Sequence, residues 1–208
     1  MLFGIFLYAL GIVITIKANI GYAPWDVFHI GLTNTFGLSI GFFSIIVGVL
    51  IVIVVLLLGE KIGFGTILNA IFIGIFIDLI IFFDIIPIPG SMVIGVPMLV
   101  AGLFVISIGS YFYIGSAFGA GPRDSLMVVL TRRTRIPVGI CRSIIELSVT
   151  VIGWFLGGMV GVGTVISIIG IGFCIQITFK ILRFDITSIR HESFYDTVRT
   201  FIKRKPDN

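Results

Sequence analysis

Two short segments of this chain combine a glycine-containing loop with an acidic residue suited to binding an ion or a polar solute. The first runs from Ala18 to Asp26 (ANIGYAPWD) and the second from Ser116 to Asp124 (SAFGAGPRD). In each, a proline suits the first position of a helix. The aspartate two residues later falls in the first turn, where the helix dipole favours a negative charge. The segments therefore predict two helix starts that carry carboxylates.

Aspartates at two such helix starts have two interpretations. They serve folding alone as capping groups, or they bind an ion or solute at membrane depth, where a charge is costly. We expect Asp26 and Asp124 to cap their own helices and to lie inside the membrane. The same segments supply further candidates for binding a substrate or coupling ion, Asn19 and Arg123, and four structural residues of the motif, Gly21, Pro24, Gly119 and Pro122.

A second pair of charges lies in an apolar stretch. Arg142 and Glu146 are four residues apart, so they share one face of a helix and can form an ion pair. A structural ion pair is one interpretation, and a carboxylate that couples proton movement to transport is the other. His29 follows Asp26 by three residues, and we expect it to be a hydrogen-bonded interior histidine rather than a proton relay.

No residue pattern indicates an enzyme. The sequence has no HExxH, GxSxG or P-loop motif, and its two histidines and two cysteines form no cluster with metal-binding spacing. Both cysteines, Cys141 and Cys174, lie in apolar stretches, so no disulfide framework is indicated. We therefore expect no catalytic residue, no cofactor and no bound metal.

The two motifs belong to a repeat that extends along most of the chain. Glycine, proline, aspartate and threonine residues recur 98 positions later without a gap; examples are Gly21 and Gly119, Pro24 and Pro122, Gly59 and Gly157, and Thr66 and Thr164. Chance seldom aligns these residue types in an apolar chain. Duplication of an ancestral unit explains the pattern, and internal symmetry in a membrane protein favours a transporter-like scaffold.

Composition predicts an integral membrane protein. Of the 208 residues 58% are apolar and 12% are charged, whereas soluble domains are about half apolar and a quarter charged. The mean hydropathy is +1.22. A helix that crosses the bilayer needs roughly 17–25 apolar residues. Six stretches qualify, with soft boundaries: 2–17, 40–58, 66–83, 97–115, 138–156 and 164–183.

Each half also contains a segment too short and too polar to cross, at 24–36 and 122–135. At about 1.5 Å per residue, such a helix reaches only about 20 Å. Three crossings per repeat turn the second copy upside down. We therefore predict an all-α membrane fold of six spans in two inverted repeats, each with a re-entrant short helix. Repeat 1 covers about 2–84 and repeat 2 about 100–182, within one transmembrane domain at 1–183.

The basic residues favour an orientation with both termini in the cytoplasm. If residue 1 is inside, then Lys61, the arginines of the RRTR segment and the basic tail are inside as well, as the positive-inside rule requires. Eight full crossings would move only Lys61 outside, so charge favours six modestly. Residues 184–208 are predicted as a cytoplasmic amphipathic tail, with a solvated tail as the alternative. The net charge of +4 is explained by these segments and does not indicate nucleic-acid binding.

Several segments also resemble a known family. ANIGYAPWDVFHIGL, FGAGPRDSLM, RSIIE and GVGT are similar to segments of the YczE-type bacterial membrane proteins, within the wider YitT/YczE grouping. The resemblance covers nearly all of the region from Gly4 to Gly172. It implies a multi-pass protein of the bacterial inner membrane, and it implies neither a substrate nor a catalytic residue.

The function that we predict is secondary transport or export of a small solute, with proton or cation coupling through Asp26, Asp124 and Glu146 as a further hypothesis. The alternative is a membrane regulator or scaffold that does not transport and acts through a cytoplasmic partner. The predicted partners are the lipid bilayer and an unidentified small solute, while a homo-oligomer or a cytoplasmic protein partner stays open. A polar cavity between the two motifs would favour transport, and a solid apolar interior would favour the scaffold.

Overall fold

The computed structural model describes residues 1–60 and 62–184, and this part of the chain contains helices joined by short loops, with no strand. Lys61 and residues 185–208 lie outside it, as do the predicted inside position of Lys61 and the predicted amphipathic tail beyond residue 184. The eight helices of the described part are α1 (Leu2–Lys17), α2 (Pro24–Phe36), α3 (Ile40–Leu57), α4 (Phe64–Phe83), α5 (Met92–Ile114), α6 (Pro122–Thr134), α7 (Val138–Phe155) and α8 (Val162–Ile181).

Five of these helices, α3, α4, α5, α7 and α8, are long and apolar enough to cross a membrane. Helix α1 is a shorter apolar helix of 16 residues. Helices α2 and α6 have 13 residues each, as the two short segments in the sequence predicted. The described chain therefore has the all-α architecture of an integral membrane protein.

Helix α5 is longer than the sequence predicted. We expected an apolar span over 97–115, but the helix begins at Met92 and contains Pro97 in its second turn. The proline removes only one backbone hydrogen bond at this position, with the carbonyl four residues earlier. The apolar residues before it extend the helix by more than one turn, because a single proline near a helix start does not end it.

The short helices α2 and α6 begin and end at equivalent residues. Both begin with a proline, Pro24 or Pro122, where the missing N–H is not needed. Helix α2 is followed by Gly37 with a φ of 74°, and α6 by Arg135 with a φ of 59°. Glycine adopts this left-handed conformation at little cost, whereas Arg135 adopts it against a steric penalty. The geometry recurs although the residue type does not.

Helix lengths and neighbours recur in the two halves of the chain. The boundaries of α6, α7 and α8 are those of α2, α3 and α4 moved by 98 positions, at both ends of each helix. Helix α4 packs against α1 as α8 packs against α5, and α3 packs against α6 as α7 packs against α2. The repeated glycines and prolines of the sequence thus correspond to repeated structure.

Helices α1 and α5 pack against each other at the centre of the bundle and run in opposite directions. A Cβ atom on Gly4 would lie 2.8 Å from the carbonyl oxygen of Gly109, and one on Gly11 would lie 2.8 Å from that of Gly102. In a membrane, close approach of this kind holds helices together, because lipid is as apolar as the side chains. The buried apolar side chains around this contact include Ile5, Ala9, Val13, Leu99 and Leu103.

The end of the bundle at which α1 finishes is called here the Lys17 end. There, Lys17 forms an ion pair with Asp84, which follows α4. The start of α3 is attached to α4 at the same end, because the Ser39 hydroxyl and the N–H of Gly41 both donate hydrogen bonds to the carboxylate of Asp78. The contacts of Asp78 close the Lys17 end between α3 and α4, whereas the Lys17–Asp84 pair joins the end of α1 to the end of α4.

The opposite end, at which α1 begins, is called the Met1 end. Arg132 of α6 donates hydrogen bonds to both carboxylate oxygens of Glu60, at 2.7 and 2.8 Å. Arg133 donates a hydrogen bond to the carbonyl oxygen of Leu58, at 2.9 Å. The two arginines therefore attach the end of α6 to the end of α3.

One packing contact is not shared by the two halves. Helix α3 packs along α4, and a Cβ atom on Gly41 would collide with the carbonyl oxygen of Gly74. The equivalent helices α7 and α8, both described in full, make almost no contact. Gly139 and Gly172 are the equivalents of this glycine pair, and Cβ atoms placed on them would meet nothing within 4 Å. We call the resulting gap the α7–α8 cleft.

Candidate functional site

The loops of the two motifs have the same backbone conformation. Asn19 and the equivalent Ala117 have φ values of 54° and 60°, and Gly21 and Gly119 have φ values of 111° and 128°. Glycine tolerates such values, and asparagine does so more readily than alanine. Asn19 is exposed on its loop and is not among the residues that line the cavities described below.

Each motif loop is held by the opposite half of the chain. The N–H of Gly163 donates a hydrogen bond to the carbonyl oxygen of Ile20, at 2.7 Å, and the N–H of Gly65 donates one to Phe118, at 2.8 Å. A Cβ atom on Gly21 would lie only 2.6 Å from the backbone of the turn before α8. The turns that precede α4 and α8 therefore position the two motif loops.

Asp26 is buried in the first turn of α2, with 4% of its surface exposed. Ala23, which precedes α2, has no side chain that can cap the helix. Among the described residues the Asp26 carboxylate accepts no hydrogen bond from the first N–H groups of α2 either, so the expectation that Asp26 caps its own helix is wrong. The carboxylate instead interacts electrostatically with Arg123, from the other motif. A buried charge needs a compensating charge or hydrogen bonds; Arg123 is the positive charge that acts on this carboxylate, but the two groups form no direct ion pair among the described residues.

The equivalent residues Trp25 and Arg123 contact each other. The guanidinium carbon of Arg123 lies 4.5 Å from the centre of the Trp25 ring, which is a cation–π arrangement. Trp25 is buried and packs among apolar side chains in the middle of α3 and α4, including Val52 and Ala70. The starts of the two short helices therefore meet in the interior of the bundle.

Two adjoining cavities flank this stacked pair. The larger has a volume of about 330 Å³ and is lined by Asp124 and the start of α6. The smaller has a volume of about 90 Å³ and is lined by Asp26 and the start of α2. The residues that line both include Tyr8, Trp25, Arg123, Arg142 and Glu146. The cavities thus bring together every charged residue that the sequence singled out.

The walls of the cavities are built from equivalent residues of the two halves. Each half contributes one proline of the motif, Pro24 to the smaller cavity and Pro122 to the larger. The same holds along the long helices, where the equivalent pairs are Ile12 and Ser110, Asn69 and Ser167, and Ile73 and Ile171. The cavity pair therefore lies on the boundary between the two halves of the chain.

The ion pair predicted between Arg142 and Glu146 is present, with 2.8 Å between Nε of Arg142 and Oε1 of Glu146. The Glu146 side chain is 15% exposed and that of Arg142 is 46% exposed, and both line the cavities. Their equivalents in α3 are Ser44 and Gly48. These small residues allow α3 to approach α4, whereas on α7 two long charged side chains occupy the corresponding space.

Two hydroxyl groups on the cavity walls have no hydrogen-bond partner among the described residues. They belong to Tyr113, on the larger cavity, and Ser167, on the smaller. A buried polar group without a partner costs free energy, so these hydroxyls are suited to bind a polar solute. The sequence analysis missed Tyr113 and Tyr8; the signal for both was a tyrosine inside an apolar stretch.

His29 differs from its prediction. It is buried, with 1% of its surface exposed, and neither ring nitrogen has a hydrogen-bond partner in the described part of the chain. The expectation of a hydrogen-bonded interior histidine is therefore wrong. His29 lies one turn beyond Asp26 on α2, but it is not among the cavity-lining residues.

The chemistry that this arrangement can perform is recognition of a polar or charged solute. Two guanidinium groups, of Arg123 and Arg142, face the carboxylates of Asp26, Asp124 and Glu146 in and beside the same cavities. Within residues 1–60 and 62–184, no three His, Cys, Asp or Glu side chains are grouped closely enough to hold a metal ion.

Comparison with known proteins places the chain among membrane proteins of bacteria. Residues 1–180 match DUF6198, described as a family of unknown function. The chain belongs to the DUF6198 family. The resemblance to YczE-type proteins that the motifs predicted is also confirmed: the chain is 36% identical over 175 residues to the uncharacterized membrane protein YczE of Bacillus subtilis, covering 83% of this chain and 80% of that protein.

Two further relatives support the same grouping. An uncharacterized protein of Haemophilus influenzae is 30% identical over 182 residues, covering 88% of this chain and 83% of its own length. The uncharacterized protein YyaS of Bacillus subtilis is 27% identical over 168 residues, covering 79% and 83%. No solved structure matches the chain. Family membership therefore supports a multi-pass membrane protein and assigns no activity to this DUF6198 member.

In this DUF6198 protein, Glu146→Gln is expected to lower the thermal unfolding temperature and to impair activity. The substitution leaves Arg142 with a neutral hydrogen-bond partner inside the bundle, where the loss of a charge pair is felt most. Glu60→Gln, which weakens the ion pair with Arg132 at the Met1 end, is the matched control. Because ion pairs at such exposed sites contribute at most about 1 kcal/mol, its effect should be small. Equal tolerance at both positions would remove Glu146 from any coupling role.

Proposed function

We propose that this protein is a secondary transporter of a small polar or charged solute in the bacterial inner membrane. Six helices cross the membrane in this proposal, and α2 and α6 are re-entrant. Residues 1–183 form one transmembrane domain of two inverted repeats, about 2–84 and about 100–182. Neither a catalytic residue nor a cofactor is part of it.

The antiparallel contact between α1 and α5 supports inverted repeats. Gly4 meets Gly109, and the equivalent residues Gly102 and Gly11 meet each other, so the contact maps onto itself when the halves are exchanged. A contact of this kind is made by two units related by a two-fold axis. Because α1 and α5 run in opposite directions, that axis is perpendicular to them and lies in the membrane plane.

The distribution of charge supports cytoplasmic termini. Arg132 and Arg133 lie at the Met1 end, attached to the end of α3, and Arg135 follows them directly. At the Lys17 end, the loops 18–23, 37–39, 84–91 and 156–161 contain no lysine or arginine, and Lys17 itself ends α1. Excess positive charge marks the cytoplasmic side of a membrane protein, so the Met1 end is assigned to the cytoplasm.

The observation that carries the transport proposal is the pair of charged cavities between the two halves. Re-entrant helix starts that meet near the middle of the membrane, at the interface of inverted repeats, are the place where several transporter folds bind substrates and coupling ions. The stacked Trp25 and Arg123 stand at this place. A regulator or scaffold has no need of charged residues in its interior, where they are costly.

The experiment that tests this proposal measures solute movement in proteoliposomes with an entrapped pH-sensitive dye. A panel of amines, amino acids, carboxylates and inorganic cations is added outside, with and without a pH gradient. We expect at least one class, followed with a radiolabel, to enter the vesicles only when the protein is present, and a proton-coupled solute to change the internal pH as well. The absence of any protein-dependent movement for all classes in both directions would favour the scaffold.

The same assay tests the two aspartates. Asp26→Asn combined with Asp124→Asn keeps the size of both side chains but removes their charges, so the variant should fold and lose coupled transport. Asp84→Asn, which removes an exposed carboxylate outside the cavities, is the control and should transport normally. If the double asparagine variant is fully active while the double alanine variant fails to fold, the aspartates are structural and the transport proposal loses its main support.

A further inference from the structure

We infer that the described state has its cavity open toward the Met1 end between α7 and α8, and that the protein alternates with a second state in which this cleft closes while α3 separates from α4. The inference rests on the proposed transport function and gives it a mechanism. It also assigns Arg142 and Glu146 as the residues that keep the α7–α8 cleft open.

The direction in which each helix pair can open depends on the end at which the chain joins the two helices. The chain joins α7 to α8 at the Lys17 end through a short connection, so a gap between them widens toward the Met1 end. Residues near the Met1 ends of α5 and α8, Tyr113 and Phe179, line the larger cavity together with Arg142. Helices α3 and α4 are joined at the Met1 end, so a gap between them can open only toward the Lys17 end.

The two halves differ in that α3 is held against α4, whereas α7 is not held against α8. At the Lys17 end, Asp78 holds the start of α3 through Ser39 and Gly41, and Gly41 lies against Gly74. Among the residues that the structure describes, no comparable contact joins α7 to α8, although Gly139 and Gly172 occupy the equivalent positions and leave the space unfilled. The α3–α4 pair is therefore closed and the α7–α8 pair is open. Both pairs contain glycines that permit a tight contact.

The residues that differ between α3 and α7 explain this asymmetry. Arg142 and Glu146 stand on α7 where α3 has Ser44 and Gly48. A Cβ atom on Gly48 would lie 3.2 Å from Ala70 of α4, so α3 has no room for longer side chains there. The charged pair on α7, whose side chains line the cavity in the described state, therefore blocks the same approach to α8; in the proposed mechanism this block is relieved when the pair contracts around a bound solute.

The proposed movement involves two helix pairs, α2 with α7 and α3 with α6. The end of α7 is attached to α2, where the Asn34 side-chain amide donates a hydrogen bond to the carbonyl of Gly157 at 2.8 Å. The Thr35 hydroxyl, which donates to Gly31 of its own helix, lies 3.3 Å from the carbonyl of Leu156. Helix α3 is attached to α6 in the equivalent way, through Arg133 and Leu58 at 2.9 Å. These two pairs move as units against α1, α4, α5 and α8. Because the short helices of both units meet at Trp25 and Arg123, closing one cleft opens the other.

The experiment measures two distances by pulsed electron paramagnetic resonance on full-length protein in lipid nanodiscs, with Cys141 and Cys174 replaced by alanine. One pair of spin labels is placed at the exposed residues Val138 and Ile181, across the α7–α8 cleft, and the other at Leu38 and Phe83, across α3 and α4. In the unchanged protein we expect the first pair to be far apart and the second to be close.

Two variants then force the change of state. Arg142→Ser with Glu146→Gly gives α7 the residues of α3, and it should bring the first pair together while the second pair separates. Gly41→Leu forces α3 away from α4 and should give the same two shifts; Asp78→Ala, a milder change at the same contact, is used if Gly41→Leu does not fold. A shift in one pair without the opposite shift in the other would overturn the inference.

A wedge in the open cleft gives the opposite test. Gly139→Leu and Gly172→Leu add side chains where there is space in the described state, so both variants should fold and keep the distances of the unchanged protein. They should lower transport about tenfold or more, since overpacking disfavours the closed cleft. Gly90→Leu, in the loop after α4 and also with nothing within 4 Å of its Cβ position, is the matched control. If transport is established and both wedge variants transport normally, the alternation between two states is wrong. If the two distances alternate but no solute is transported, only the proposed transport function is wrong.

Discussion

A leucine in place of Gly11 is expected to prevent the chain from accumulating as a folded protein. A Cβ atom at this position would lie 2.7 Å from the backbone nitrogen of Ile106 and 2.8 Å from the carbonyl oxygen of Gly102. Backbone atoms of a packed helix cannot turn aside, so α1 and α5 would have to separate. Overpacking a core typically costs about 1–3 kcal/mol, and here it acts on the central contact of a fold whose stability is on the order of 5–15 kcal/mol.

The measurement is the yield in the membrane fraction and the size-exclusion profile in mild detergent. Gly109→Leu should fail in the same way, because its Cβ atom would lie 2.6 Å from the backbone nitrogen of Tyr8. Gly172→Leu is the control, since it lies in an apolar helix and would meet nothing within 4 Å. If Gly11→Leu and Gly172→Leu accumulate equally well, the contact between α1 and α5 is not what holds the bundle together.

The positions of the helices could be predicted from the sequence because glycine and proline act locally. Pro24 and Pro122 each begin a helix, since a proline fixes φ and lacks only an N–H that a first helical residue does not use. The 98-residue repeat then carried each boundary from the first half to the second. The start of α5 differs from the predicted span of 97–115, because the apolar residues before Pro97 continue the helix back to Met92.

The ion pair of Arg142 and Glu146 could also be predicted, because spacing by four residues on a helix is enough to bring two side chains together. The contact of Trp25 with Arg123 could not. Those residues are 98 positions apart and meet only because the two halves pack face to face. The sequence showed that the two positions were equivalent in the repeat. It contained no information on which surfaces of the two halves pack against each other.

Two expectations were wrong for the same reason. Asp26 was expected to cap its helix, and His29 was expected to be hydrogen-bonded, since both arguments considered only the nearest backbone or polar groups. In the structure the positive charge that acts on Asp26 is Arg123 from the other half, and both ring nitrogens of His29 lack a partner among the described residues. The α7–α8 cleft is likewise a property of packing, since two halves with matched glycines gave no reason to expect one open and one closed pair.

Removal of the Arg123 guanidinium is expected to have the largest effect on the cavities. Asp26 is 4% exposed, and Arg123, which stacks on Trp25, is the positive charge that acts on it without a direct ion pair. Leaving a buried charge without its partner costs up to about 3–5 kcal/mol. At roughly 2–4 °C per kcal/mol for a chain of this size, Arg123→Ala should lower the unfolding temperature by about 6–20 °C and abolish transport. Arg133→Ala, which removes an exposed guanidinium at the Met1 end, is the control and should change stability little.

A second substitution separates charge compensation from packing. Arg123→Ala combined with Asp26→Asn removes both charges, so most of the lost stability should return while transport stays absent, because the solute site has lost two of its charged groups. Arg123→Lys keeps the charge but not the planar group that stacks on Trp25, and it should retain stability while weakening transport. The unfolding temperature in detergent and the proteoliposome assay measure these two effects separately. If the double variant is no more stable than Arg123→Ala alone, Arg123 stabilises the protein through its contact with Trp25 rather than through Asp26, and the buried carboxylate must be compensated by another group.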